Sequence, residues 1–254
     1  MNGIGLILLA GIVCIGYVYI KVKRFPITMM DIYLKQNDFN GVIEVLNKAS
    51  TKKIMKPFEY DRIRLKIMFR AGRKSEFQEM IQVIGKKKYR DGDAITLLEK
   101  WLHLCLVHRD EPLAVEFAKN FVDAIAINGD ENVKKMAELS YAILIDKKAE
   151  GEQFLLSYCM RGRDTNFRCG VGNYLLGKIC ELQFDIKGAV RWYDSALTQF
   201  DCINSQIYYQ ECKNYIDTYG DKSLIHYGVL NTEIFEPLDM VKTYRYDPKK
   251  KVKK

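Results

Sequence analysis

Residues 174–197 read YLLGKICELQFDIKGAVRWYDSAL. The apolar spacing is that of two helices separated by a break at "LQFD", yet Gly177 sits inside the first of them. Gly in a helix interior costs roughly 1 kcal/mol relative to Ala, so its position asks for a close contact that offsets the penalty. Ala189 and Ala196 fall at heptad spacing in the second helix, with Trp192 and Tyr193 between them. Small residues at those points let two helices approach, and the Tyr193 ring then fills the adjoining space.

Working outward, the chain from Phe25 to about Tyr219 alternates apolar helical patterns with short breaks rich in Gly, Asp, Asn or Pro. The pattern predicts about eleven helices of roughly ten to eighteen residues, no strand, and no loop beyond about ten residues. The first members of successive pairs begin near residues 25, 57, 93, 131, 168 and 203. A spacing of about 32 to 38 residues signals stacked helix–turn–helix units.

The stretch 170–203 resembles a tetratricopeptide repeat (TPR). That motif places Leu-Gly in the first helix, an apolar residue near the turn, then Ala, an aromatic and Ala-Leu in the second. Here Leu176-Gly177, Ile186, Ala189, Tyr193 and Ala196-Leu197 stand at that spacing. A second copy lies 147 residues upstream, where Met29, Met30, Tyr33, Phe39, Val42, Leu46 and Ala49 fall in register. Between residues 57 and 165 the paired helices persist and the motif fades. The resemblance implies an all-α, TPR-like α-solenoid of about five helix pairs over residues 23–228, closed by a C-terminal capping helix. It also implies a concave groove lined by first helices. Tyr174, Lys178 and Glu181 would line it in the last repeat, and Ile27, Asp31 and Leu34 in the first.

Residues 2–20 carry no charge and are followed at once by Lys21, Lys23 and Arg24. Nineteen helical residues span about 28 Å, close to the roughly 30 Å hydrocarbon core. Positive charge after the apolar run, with no small-x-small site, argues against a cleaved signal peptide. Residues 1–22 therefore read as a transmembrane signal anchor with the N-terminus outside and the body in the cytoplasm. Some bacterial envelope-assembly proteins share this layout, which makes a bacterial inner membrane the first expectation. Mitochondrial import receptors share it too, leaving the outer mitochondrial membrane as the alternative.

The net charge of +8 is matched by the three positive residues after the apolar run and by Lys249, Lys250, Lys251, Lys253 and Lys254. Residues 25–248 are thus neutral, which removes the electrostatic footprint of a nucleic-acid binder. The segment 229–254 reads as an extended or disordered basic tail, with its five terminal lysines placed to contact anionic lipid. Seven Cys include no C-x-x-C pair, so they read as buried free thiols and not as a zinc site.

No nucleotide, phosphate, hydrolase or metalloprotease motif occurs. His103 and His108, five apart on a helix, point to different faces and suit joint metal ligation poorly. Acidic clusters at Asp91/Asp93, Asp110/Glu111 and Glu150/Glu152 read as helix caps. Basic clusters at Lys86–Lys88/Arg90 and Arg161/Arg163/Arg168 read as solvated turns. The sequence therefore points to a membrane-tethered adaptor that binds a protein or peptide, with no catalytic residue, metal or cofactor. A permanent structural subunit of a membrane complex is the alternative, and a nucleic-acid-binding or catalytic repeat protein a remote one.

Overall fold

The computed structural model describes residues 3–19, 21, 25–160 and 166–220, and among these the chain forms thirteen α-helices and no strand. Two compact units divide between Ala94 and Ile95 within the stretch expected to form one repeat domain. The first holds α1 (Gly3–Tyr19), α2 (Phe25–Lys35), α3 (Phe39–Asn47), α4 (Ala49–Ile54), α5 (Pro57–Arg70) and α6 (Lys74–Lys86). The second holds α7 (Ala94–Val107), α8 (Pro112–Asn128), α9 (Glu131–Leu144), α10 (Glu152–Met160), α11 (Asn166–Leu182), α12 (Ile186–Cys202) and α13 (Tyr209–Tyr219).

First members of successive pairs begin at Phe25, Pro57, Ala94, Glu131 and Asn166, and α13 begins at Tyr209. The late start of α13 follows from a turn over 204–208, in which Asn204 and Tyr208 both take positive φ. The short helix α4 follows α3 after a single residue. It forms because Thr51 and Met55 bury against the unit, after Lys48 interrupts α3 with an extended backbone.

The helix expected to span a membrane over residues 2–20 is described from Gly3 to Tyr19. The helix α1 has 17 residues, about 26 Å at 1.5 Å per residue. Among the described residues no helix is long and apolar enough to cross a membrane. Ile12, Val13, Ile15 and Val18 on this helix are exposed.

One turn occurs four times among the described residues, once before α13, where Asn204 takes φ 51° and the Ser205 amide reaches the Phe200 carbonyl at 2.9 Å. Between α2 and α3, Asn37 takes φ 55° and the Asp38 amide donates to the Tyr33 carbonyl at 2.8 Å. Asp38 then caps α3, its Oδ1 accepting from the Gly41 amide at 2.9 Å. Between α11 and α12 the same steps occur 147 residues later. Phe184 takes φ 61°, the Asp185 amide reaches the Cys180 carbonyl at 2.8 Å, and Asp185 Oδ1 accepts from Gly188 at 3.0 Å. Between α5 and α6, Gly72 takes φ 66° and the Arg73 amide reaches the Met68 carbonyl at 3.0 Å. A left-handed residue before the new helix turns the chain back on itself in each case.

In the first unit Val42, Val45 and Leu46 present one face of α3 to Met30, Met55, Ile63 and Ile67. In the second unit α11 is the hub, packing on α9, α10 and α12, while α12 packs on α13. Every residue from Gly170 to Gly177 is buried.

Candidate functional site

The packing face of α11 against α12 centres on Gly177, whose Cβ position is taken by the Tyr193 ring. Gly170 makes the same allowance for Phe200, where an added Cβ would lie 2.5 Å from Cε1. Leu176, Ala189, Tyr193 and Ala196 are all buried around this contact. The close approach of α11 and α12 is thus built from Gly and Ala backbones against aromatic rings.

Tyr174, Lys178 and Glu181 share one side of α11, and α13 covers it. Tyr174 is fully buried, its ring stacked on Tyr208 with centroids 4.0 Å apart and planes 8° from parallel. Its hydroxyl donates to Glu211 Oε2 at 2.8 Å. Tyr174 is therefore a packing residue and not a groove-lining one. The Lys178 ammonium lies 3.0 Å from Glu181 Oε2 and 3.6 Å from Glu211 Oε2, with the Tyr174 and Tyr193 rings beneath it. Glu181 also accepts the Tyr193 hydroxyl.

Glu211 is the centre of this network. Arg109, at the end of α7, grips it bidentately at 2.9 and 2.7 Å. Burial pushes the Glu211 carboxyl up, but the Arg109 hydrogen bonds and charge, the Tyr174 hydroxyl and Lys178 hold it below its ordinary value. Burial raises the Tyr174 and Tyr208 hydroxyls far above theirs, so both stay neutral donors. The arrangement suits fastening α13 to α7 and α11, with each charge matched inside the protein.

His103 lies 3.0 Å by its Nδ1 from the Tyr208 hydroxyl and is buried, which lowers its pKa from 6.5 to about 3. It is a neutral core imidazole. Among the described residues no group of three or more His, Cys, Asp or Glu is placed to hold a metal. Burial pushes the Cys105 and Cys159 thiols up to about 12, which leaves both protonated.

Two clusters read as solvated turns are engaged instead. Arg168 holds the buried Glu99 carboxylate with its Nε and Nη2, the shortest contact being 2.6 Å. Lys87 and Tyr89 both donate to the buried Asp61 at 2.6 Å. Asp91 does act as a cap, but for a distant helix: its Oδ2 accepts from the Phe58 amide at 3.2 Å. Arg161, Arg163 and the lysines from 249 to 254 lie outside the described residues.

In the first unit Ile27 and Leu34 are half-buried against the Met30 cluster, and Asp31 pairs with Lys35 at 3.2 Å. Neither set of expected groove residues is therefore an open row of side chains.

A different concavity lies on α10, α11 and α12, an open cleft of about 570 Å³. Asn166, Cys169 and Asn173 come from one face of α11, and Trp192, Ser195 and Gln199 from one face of α12. The i, i+3, i+7 spacing was present in both helices, but no periodic apolar signal marks amide side chains. No protein-family model, curated protein or solved structure matches the chain.

Proposed function

We propose that the chain is a helical-repeat scaffold, held at a membrane by its N-terminal apolar helix, that binds a protein partner and performs no chemistry. The observation that carries this reading is the recurring turn at Asn37–Asp38, Gly72–Arg73, Phe184–Asp185 and Asn204–Ser205. Repetition of one helix–turn–helix unit builds extended surfaces whose use is recognition. The resemblance of residues 170–203 to a TPR supports the same view.

Tethering is supported by the charge-free run 2–20, the exposed aliphatic side chains of α1 and the basic residues that follow. A helix of about 26 Å leaves a mismatch of roughly 4 Å, which local thinning absorbs at fractions of a kcal/mol per Å. Positive charge after the helix favours a cytoplasmic body.

The full chain, compared with a variant lacking residues 1–22, tests the reading. Full-length protein should resist alkaline extraction from membranes, and the deletion variant should be soluble and helical. Cross-linking before solubilisation should then join the full chain to a defined protein partner. Full extraction at high pH would overturn the tether, and a chain that cross-links to no protein would overturn the scaffold.

A further inference from the structure

The neutral body is the sum of two opposed halves. Residues 25–94 hold fifteen Lys and Arg against nine Asp and Glu, a net charge of +6. Residues 95–220 hold fourteen against eighteen, a net charge of −4. The change of sign falls where the two compact units part, so the basic excess belongs to the unit that contains α1.

Within the first unit that excess collects at one end. The turn at Asn37–Asp38 reverses the chain and sets the start of α2 beside the end of α3. Asn47, at the end of α3, accepts the Tyr60 hydroxyl at 3.4 Å, so the first turn of α5 stands there too. Lys87, just past α6, reaches Asp61 of α5 at 2.6 Å, and Phe58 meets Tyr89 edge to face at 5.3 Å. The starts of α2 and α5 and the ends of α3 and α6 thus share one end, with α4 in the connection between α3 and α5.

Lys52, Lys53, Lys56, Lys86, Lys88 and Arg90 lie at this end, all exposed, and none of them forms an ion pair among the described residues. Acidic neighbours are already engaged. Asp61 accepts from Lys87 and Tyr89, Asp91 from the Phe58 amide, and Glu44 and Glu59 pair with Lys48 and Arg62. Six unpaired cations at one end repel one another unless an external anion faces them.

We infer that this end of the first unit docks on anionic lipid headgroups, a reading that rests on the tether proposed above. The helix α1 ends at Tyr19 and α2 begins at Phe25. Six residue steps span at most about 22 Å, so lipid that holds α1 keeps the basic end within reach. Lys21, Lys23 and Arg24 add three positive charges in that connection. Basic clusters next to a membrane helix are drawn to the anionic cytoplasmic leaflet over about one screening length. Nucleic acid fits less well, because the Phe58 and Tyr89 rings pack on each other and do not stand open to stack bases. The unit then stands end-on on the bilayer, with the turns at Asn37 and Gly72 at its far end.

Amine acylation of the full chain in nanodiscs, read residue by residue by mass spectrometry, tests the surface. In discs containing phosphatidylglycerol, Lys52, Lys53, Lys56, Lys86 and Lys88 should react about fivefold more slowly than in discs of phosphatidylcholine alone. Lys35 and Lys74, at the far end of the unit, should react equally in both. Salt at about 0.5 M, where the screening length falls to about 4 Å, should abolish the protection. K52Q/K53Q/K56Q should weaken the protection of Lys86 and Lys88 while leaving the melting temperature unchanged. Equal rates in the two kinds of disc at low salt would overturn the lipid surface and leave the tether standing. Protection that requires added RNA and not anionic lipid would overturn it too, and assign this end to nucleic acid. A chain that leaves phosphatidylcholine discs, yet is held and protected by phosphatidylglycerol discs, would overturn the tether alone. One that stays in neither would overturn both.

Discussion

The backbone of Gly177 on α11 lies against the phenol ring of Tyr193 on α12, closer than any Cβ would permit. The hydroxyl of that ring is held by Glu181, one turn further along α11. The ring is thus fixed at both ends and has no room to retreat from a side chain at position 177.

Gly177→Ala should therefore destabilise the second unit. Overpacking costs about 1–3 kcal/mol, offset by about 1 kcal/mol of helix propensity. A net loss of up to about 2 kcal/mol in denaturant unfolding is expected. The loss should shrink in a Tyr193→Leu background, where a smaller, flexible side chain gives way. An equal loss in both backgrounds would show that the ring does not require the glycine.

The Arg109–Glu211 pair ties the end of α7 to α13. Both side chains are partly exposed, so solvent weakens the pair relative to a fully buried one. Arg109→Met should cost about 2–3 kcal/mol, because Glu211 keeps its position beside Tyr174 without its main counter-charge. The double variant Arg109→Met/Glu211→Leu should cost less than the two single losses summed. A double-mutant cycle with no coupling energy would contradict the network.

Much of the helical architecture was legible in the sequence, because helix starts at residues 25, 57 and 131 carry Pro or an Asp cap before an apolar period. The Gly177, Ala189 and Tyr193 contact was legible for the same reason, since Gly inside a helix demands a neighbour. Asp-x-x-Gly, present at Asp38–Gly41 and again at Asp185–Gly188, is a repeat signal that periodicity of apolar residues passes over. What stayed hidden was pairing at a distance. Glu99 and Arg168 are 69 residues apart, and Arg109 and Glu211 102 apart, so local reading put Arg168 in a solvated turn and passed over Arg109. Tyr174 was misplaced because nothing local shows that α13 folds over that side of α11.

His103 gives the second unit a pH dependence of definite sign. Burial lowers its pKa from 6.5 to about 3, so between those values the unfolded chain binds a proton that the folded chain refuses. Stability should be full above about pH 6.5 and fall as pH drops towards 3, by at most about 1.4 kcal/mol per pH unit. Glu211 acts in a lower window. Its folded carboxyl is held below the ordinary 4.5, so its contribution is present above that value and fades only below it. Melting temperatures between pH 6.5 and 5 therefore isolate the imidazole. His103→Gln should flatten the dependence in that range, and an unchanged slope would assign it elsewhere.

Phe184 occupies the left-handed position of its turn, φ 61°, where the matching turns use Asn37, Gly72 and Asn204. It is also 91% exposed, so no packing offsets the strain. A left-handed backbone costs an ordinary residue roughly 1–2 kcal/mol, and Asn or Gly much less. Phe184→Asn should therefore stabilise the second unit by about 0.5–1 kcal/mol, seen as a higher denaturant midpoint at constant slope. Phe184→Gly should gain less, because glycine also loosens the unfolded chain. The order Asn, then Gly, then Phe follows from backbone energetics alone. A loss of stability in Phe184→Asn would mean that the ring makes a contact in solution that its exposure conceals.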